Sequence, residues 1–438
     1  MTHLYYYRWL ESVDDRPGLN RHMLEVLRQK HTEDPDTYTT CSIQLDGMAI
    51  RQLVAYDAHH SRMAGFVNLG TDENNNDVAK EALVFMVVGT RGRWKLPIAY
   101  YLTRGLTADQ QKELLTTAIE ELQSIGYRVI AAVMDGLTTN VTMCSLLGCQ
   151  LDVSKPLQTW FSISGQKIYV ILDACHMLKL VRNTLEAYRT INSPSGTVSW
   201  MHLSDLHKVQ QELGLRLANR LSSRHLQFQN LKMKVSLAAQ TFSQSVATAL
   251  RMLHDDPDRS SQFADVLPTV EFIEIINRLF DIFNSRNPRS YGFKRPIGTR
   301  NIDDVFTELW TIKRYLMTLK TDDGKFLYQS KRYYSFHYLL FDALLINAAL
   351  LLYFDFCCCN QTLCYLYSHT CVTGFVINIE SMMNIVTELL GTHQYVLTYK
   401  FSQDHLELFF NFVRRAGLKS KSNIIFVLQL IISAYHCI

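Results

Sequence analysis

The residues best placed to do chemistry in this chain are acids in apolar company. Near the C-terminal end, Ser402-Gln403-Asp404-His405-Leu406-Glu407-Leu408-Phe409-Phe410 reads as the first turns of a helix. Ser402 is a candidate cap, and Leu406, Phe409 and Phe410 fall at helical spacing on one apolar face. Asp404 and Glu407 are three apart and share a face beside that stripe. A carboxylate at the edge of buried apolar surface must find a cation or a hydrogen-bond donor. The bland alternative is a pair of helix N-terminal acids favoured by the macrodipole. Other acids sit where propensity disfavours them. Asp46 lies in the alternating run Cys41 to Ile50, on the face opposite Ile43 and Leu45. Its alternative is a hairpin turn at Asp46-Gly47. Asp135 and Asp173 end the apolar runs YRVIAAVM and KIYVIL.

Length and composition bound the rest. A chain of 438 residues is two or three domains. The net charge of +3 is too near balance to announce nucleic-acid binding. The basic residues are clustered, however: Arg91, Arg93 and Lys95; Lys232 and Lys234; Arg414, Arg415, Lys419 and Lys421. Such clusters either bind phosphate or form a solvated face. The ten cysteines show no pairing pattern and no zinc spacing, and no signal peptide opens the chain. That fits a reducing, intracellular compartment.

The elements that must carry these acids follow in order. A helix is expected within Gly18 to Lys30, then strands at Cys41–Ile50, Glu81–Gly89 and Leu96–Leu102. Thr107 caps a helix that Gly126 stops, with Leu114, Leu115, Ile119 and Leu122 inward. A strand at Tyr127–Met134, a helix near Val141–Leu147 and a strand at Lys167–Leu172 complete the set. The first three strands are close enough for antiparallel pairing, and the following helix is the crossover a parallel strand needs. A mixed sheet with acids on its first strand and after its crossover strand is the ribonuclease-H-like pattern. Residues 174 to about 320 then read as helical throughout, an all-α domain inserted before the sheet domain resumes.

Several stretches resemble, in order, the P-element-type transposases, the family that includes THAP-domain transposase-like proteins. They are IQLDGMAIR, EALVFMVVGTRGRWKLPIAYYLTRG, VIAAVMDGLTTN, ILDACHMLKLVRNTL, LQFQNLKMKVSLAAQTFSQSVATAL, LFDIFNSR and TYKFSQDHLELFF. The resemblance implies an α/β, ribonuclease-H-like core interrupted by an all-α GTP-binding insertion. It places the catalytic, metal-holding acids at Asp46, Asp135 and Glu407. Carboxylates suit two-metal phosphodiester cleavage and strand transfer, because they hold Mg²⁺ while leaving room for water and phosphate oxygens. No GxxxxGK[ST] loop exists, so a Walker-type site is excluded. By motif the resemblance assigns the guanine nucleotide to Lys234, Val235, Phe280, Asp281 and Asp404. Asp281 would hold Mg²⁺, Phe280 would stack on the base and Asp404 would accept from guanine. Phe280 as core and Asp281 as a solvated helix acid are the plain alternatives. Asp173, His176 and Lys179 form either a structural polar cluster or a phosphate contact.

The domains expected are therefore a helical remnant of a DNA-binding and dimerisation region at 1–38, the core at 39–173, the insertion at 174–325, an anomalous apolar insert at 333–371 and the rest of the core at 372–438. The chain departs from the family in lacking a zinc-binding THAP module, which suggests either a truncated copy or a fragmentary gene. The 333–371 stretch is apolar without period and fits a translated intron or the decay of a non-selected copy; Asp342, Asn347 and Asp355 argue against a membrane span. The function expected is a nuclear, GTP- and Mg²⁺-dependent transposase core acting on transposon-end DNA, homo-oligomeric at full length, with no membrane role. The alternatives are a catalytically silent scaffold binding DNA or protein, and a GTP-binding regulator without a DNA role.

Overall fold

The computed structural model describes residues 16–57, 62–70, 76–218, 220–329 and 370–420. They divide into two compact units, one from the described parts of Met1–Asp173, Phe283–Asp303 and Glu380–Ile438, the other from those of Ala174–Ile282 and Asp304–Ile379.

Unit one is built on a sheet. Strand β1 (Gly18–Leu19) leads into helix α1 (Arg21–Glu33), capped by the Asn20 side chain accepting from Met23 N. Strands β2 (Thr40–Ala49), β3 (Glu81–Gly89) and β4 (Lys95–Thr103) follow. Helix α2 (Ala108–Ser124) opens on a capping box between Thr107 and Gln110, which satisfies two otherwise orphaned donors. It buries Leu115, Ile119 and Leu122 and is followed by Gly126 at φ 93°. Strand β5 (Arg128–Met134), helix α3 (Thr138–Leu146) and strands β6 (Trp160–Ile163) and β7 (Gln166–Leu172) complete this part. The β6–β7 hairpin turns on Ser164 and Gly165, both at positive φ, as a two-residue primed turn requires.

The seven strands lie in the order β1-β4-β3-β2-β5-β7-β6. Pairing is antiparallel from β2 through β3 to β4 and parallel across β2, β5 and β7, so the mixed sheet expected from the sequence is present. The central strand β2 is covered on both faces. Cys41, Ile43 and Leu45 are buried on one, Ser42 and Gln44 on the other.

Unit two follows along the chain. Helix α4 (Ala174–Tyr188) is succeeded by strands β8 (Thr190–Ser193) and β9 (Gly196–Ser199). Then come helices α5 (Met201–Leu213), α6 (Val235–Thr241), α7 (Gln244–Asp255) and α8 (Leu267–Phe283). Strand β10 (Ile297–Gly298) belongs to unit one and pairs with β11 (Tyr395–Val396). Helix α9 (Ile302–Thr318) comes after β10 in sequence and helix α10 (Thr370–Leu389) precedes β11; each crosses the boundary between the units. The last helix, α11 (Asp404–Ser420), belongs to unit one.

Four expectations need correction. The insertion is mostly helical but not wholly so: β8 and β9 form an antiparallel hairpin. Its strands carry β-branched Thr190, Ile191, Thr197 and Val198, and its turn is Ser193-Pro194-Ser195-Gly196, so local chemistry favours a hairpin. The insertion is also discontinuous, since Phe283–Asp303 returns to unit one. Ser285 fixes that return: its N–H donates to Thr398 Oγ1 at 3.1 Å, and its carbonyl accepts from Tyr399 N at 3.2 Å. Residues 18–19 are not part of a helical remnant but an edge strand of the sheet, paired with Tyr100 and Ala99. Finally, of the segment 333–371, only 370 and 371 lie within the described residues. They start α10, and Cys371 is buried beside the Thr184 hydroxyl, so the boundary set at 371 is too late. No helix among the described residues is long and apolar enough to cross a membrane.

Candidate active site

Register brings three of the acids to one level. The parallel ladder from β2 to β5 ends at Gln44↔Val133, and that from β5 to β7 at Met134↔Leu172. Asp46, Asp135 and Asp173 stand one or two residues beyond those pairs, at the same end of the parallel ladders, with Asp46 still inside β2 and paired to β3.

Asp46 is half-buried and accepts from Gly47 N at 2.8 Å. Burial drives its carboxyl up to about 8, and the charges of Asp135, Asp173 and Glu407 push the same way; only the Gly47 N–H opposes them. Four carboxyls from distant parts of the sequence therefore share one electrostatic neighbourhood.

Asp135 follows β5 directly. Its Oδ1 accepts from Leu137 N at 3.2 Å and from the Asn140 amide, whose Oδ1 in turn accepts from Gln111 Nε2. Gln111 and Asn140 are both buried, on α2 and α3, so two helices fix the Asp135 carboxyl.

Glu407 is placed through the segment ahead of it. The carbonyl of Lys400 accepts from Ser42 Oγ and from Gln44 Nε2, each at 3.1 Å. Buried Asp173 accepts the Gln403 N–H at 3.0 Å, and Gln403 Nε2 donates to Leu45 O at 2.7 Å. Lys400 is only 3% exposed, and its ammonium donates to the carbonyls of Gly89 and Gly92, the latter at 2.8 Å. Burial pulls its pKa down to about 8. The polar face of β2 thus holds the start of α11 through buried hydrogen bonds, each costly to lose. A period-two row, Ser42, Gln44, Asp46, signals this face in the sequence; its partners, hundreds of residues away, do not.

The donor set suits a hard divalent cation: carboxylate oxygens, with charge crowding that a cation would relieve. It is not drawn into a finished ligand shell, for among the described residues no three His, Cys, Asp or Glu side chains are grouped closely enough to hold a metal ion.

The residues assigned to nucleotide fall in both units. In unit two, exposed Lys234 precedes α6 as its N-cap, with half-buried Val235 as first helical residue. The loop before them is fastened by fully buried Arg182. It donates to Lys232 O at 2.6 Å and lies over the Phe228 ring at 3.9 Å, and burial lowers its pKa to about 10. Phe280 and Asp281 are half-buried on α8, and Asp281 accepts from Asn277 Nδ2 at 3.4 Å. Lys234 also lines a cavity of about 780 Å³ whose wall carries Arg216, Arg220, Arg224, His207 and His225, and no carboxylate among the described residues. In unit one, Asp404 is ion-paired to Arg286, a partner the sequence did not suggest. Asp173 belongs to unit one and His176 and Lys179 to unit two, where burial and the Lys179 charge press His176 down to about 3. Arg91 is structural, donating to Asp36 O at 3.0 Å and to Thr392 O.

A mixed sheet with carboxylates at one end of adjacent parallel strands defines a ribonuclease-H-like core. Residues 15–148 match the TNP-like RNase H N-terminal domain, 175–296 the TNP-like GTP-binding insertion domain and 399–422 the TNP-like RNase H C-terminal domain. The first match begins at 15, which again assigns the residues before 39 to the core. The chain is 29% identical over 425 residues to the human DNA transposase THAP9, covering 94% of this chain and 42% of that protein. It is 28% identical over 285 residues to the Transposable element P transposase of Drosophila melanogaster, covering 64% of this chain and 34% of that one. The chain thus spans less than half the length of these relatives. The solved Drosophila P element transposase strand transfer complex superposes with a TM-score of 0.75 at 22% identity, over 99% of this chain and 85% of that chain, a likeness of fold. The chain belongs to the P-element-type transposase family.

Proposed function

We propose that this chain is the core of a DNA transposase that cleaves transposon-end DNA and transfers strands, with Asp46, Asp135 and Glu407 holding Mg²⁺ and with GTP bound by the insertion. The observation that carries the reading is the crowding around Asp46, where burial and three other carboxyls hold one acid near 8. A fold does not keep such an arrangement for stability, since each added like charge costs free energy. When bound there, divalent cations supply preparation of the attacking hydroxyl and stabilisation of the leaving oxygen. Leu137 N–H and the Asn140 amide orient Asp135. The polar face of β2 orients the start of the helix that bears Glu407.

For the nucleotide, the basic cavity of unit two supports a phosphate contact at Lys234, because cations around a concave wall favour a polyanion. Val235 and Phe280 would pack on the base, and Asp281 would take the nucleotide's Mg²⁺. Asp404, ion-paired to Arg286 in unit one, is the remaining residue of that assignment. Nuclear location and assembly of several copies belong to the same proposal.

The test is a cleavage and strand-transfer assay on matched transposon-end DNA with Mg²⁺ and GTP. Activity that Asp46→Asn, Asp135→Asn and Glu407→Gln each abolish supports the reading. Activity that survives all three refutes the site. A second reading, a silent scaffold, draws on the absence of a finished ligand shell among the described residues. DNA binding without any cleavage in that assay would favour it.

A further inference from the structure

The helix bearing Glu407 is preceded by a residue that neither the family resemblance nor the charge pattern singles out. Gln403 is 4% exposed and makes three contacts to fixed parts of unit one. Its backbone N–H donates to Asp173 Oδ1 at 3.0 Å, at the end of β7. Its side-chain amide donates to Leu45 O at 2.7 Å, on β2 beside Asp46. Its carbonyl accepts from Glu407 N at 2.9 Å, the first turn of α11. The parallel ladder between β2 and β5 stops at Gln44, one residue before Leu45, so Gln403 adds a contact where pairing to β5 has ended.

We propose that Gln403 is the positioning residue that sets Glu407 against Asp46 and Asp135. The chemistry explains the residue type. The contact needs a donor long enough to reach a strand carbonyl from a helix start, and it must carry no negative charge beside Asp173. Glutamine meets all three demands. Glutamate lacks the donor and adds a charge, asparagine is a methylene short, and methionine keeps the volume without the donor. Removing the contact leaves Leu45 O buried without this partner and lets the first turn of α11 shift, which moves Glu407 rather than the packing of the helix. The inference rests on the reading of Asp46, Asp135 and Glu407 as a cation site.

The experiment titrates the purified full chain with Mn²⁺, free and bound metal being read by electron paramagnetic resonance. Gln403→Met should weaken binding by about 10- to 100-fold. The double variant Gln403→Met/Glu407→Gln should bind no more weakly than Glu407→Gln alone, because both changes remove the same ligand. A purely structural role for Gln403 would instead lower the melting temperature and leave the Mn²⁺ affinity of the folded fraction unchanged, which would overturn the proposal. If Gln403→Met does not fold, Gln403→Asn, which keeps an amide but not the reach, carries the same comparison. Should Asp46→Asn and Glu407→Gln themselves leave Mn²⁺ binding at the wild-type level, the cation site is wrong. A defect seen in those two but absent from the Gln403 variants would reject the positioning role alone.

Discussion

The carboxyl cluster of unit one and the basic cavity of unit two are built on opposite plans. The acids stand just past the ends of the parallel ladders and on a helix start, locked by hydrogen bonds from Ser42, Gln44, Asn140 and Gln403. The bases line an open cavity on α5 and on the segment that runs from it to the start of α6. Like charges in a buried place need rigid support, since desolvation and repulsion both oppose them. Long basic side chains around an open cavity stay hydrated and need no such support. The acidic site is therefore suited to a small cation at fixed distances, and the basic one to a larger, adaptable anion.

Substitutions that separate the two sites test this contrast, and the largest effect should fall on chemistry. Asp46→Asn should lower cleavage of transposon-end DNA by at least about 10²- to 10³-fold, the usual loss for one electrostatic catalytic group. GTP binding, measured by fluorescence with a labelled analogue, should be unchanged. The double change Arg216→Glu/Arg220→Glu should do the reverse, weakening GTP by roughly 10- to 100-fold through lost charge-assisted contacts and leaving Mn²⁺ at the acids alone. Loss of both activities in either variant would erase the contrast.

Legibility in the sequence followed the same division. Strands such as Glu81–Gly89 show as apolar runs, and acids on or just after such runs, Asp46 and Asp135, stand out because an apolar environment does not tolerate them without cause. The capped helix after Thr107 announces both its ends. What could not be read is pairing over distance. Gln44 and Lys400 are 356 positions apart, and neither carries a local sign of the other. Gln403 looks like an ordinary helix-start residue until its two strand partners are known. The β8–β9 hairpin has a local sign in Ser193-Pro194-Ser195-Gly196, but its four-residue strands are short and lie between helices. The basic cavity has no motif, being assembled from bases spread along 207–234.

Smaller effects concern stability. Asp46 has its pKa raised to about 8 in the fold, so folding takes up a proton wherever the unfolded acid is charged. The contribution of Asp46 to the stability of the metal-free wild type should fall as pH climbs from about 4 to about 8 and level off above. Asp46→Asn should raise the metal-free melting temperature by a few degrees at neutral pH and not at all below about pH 4. Calorimetry across that range checks it, and a lower melting temperature at neutral pH would argue against repulsion in the cluster. Lys400 gives the opposite slope. Its pKa falls to about 8 in the fold, so from there to its unfolded value, near 10.4, the unfolded chain holds the extra proton. Stability should rise over that window, and Lys400→Met should remove the rise.

The most direct measurement of the central claim substitutes Fe²⁺ for Mg²⁺ in the folded chain and adds ascorbate and peroxide, so that bound iron cuts the backbone beside its ligands. Fragment masses should place the cuts near 46, 135 and 407 together, with Mg²⁺ suppressing all three and Glu407→Gln weakening the whole set. Cuts absent from these positions, or present at one while the others stay intact, would contradict a shared cation site.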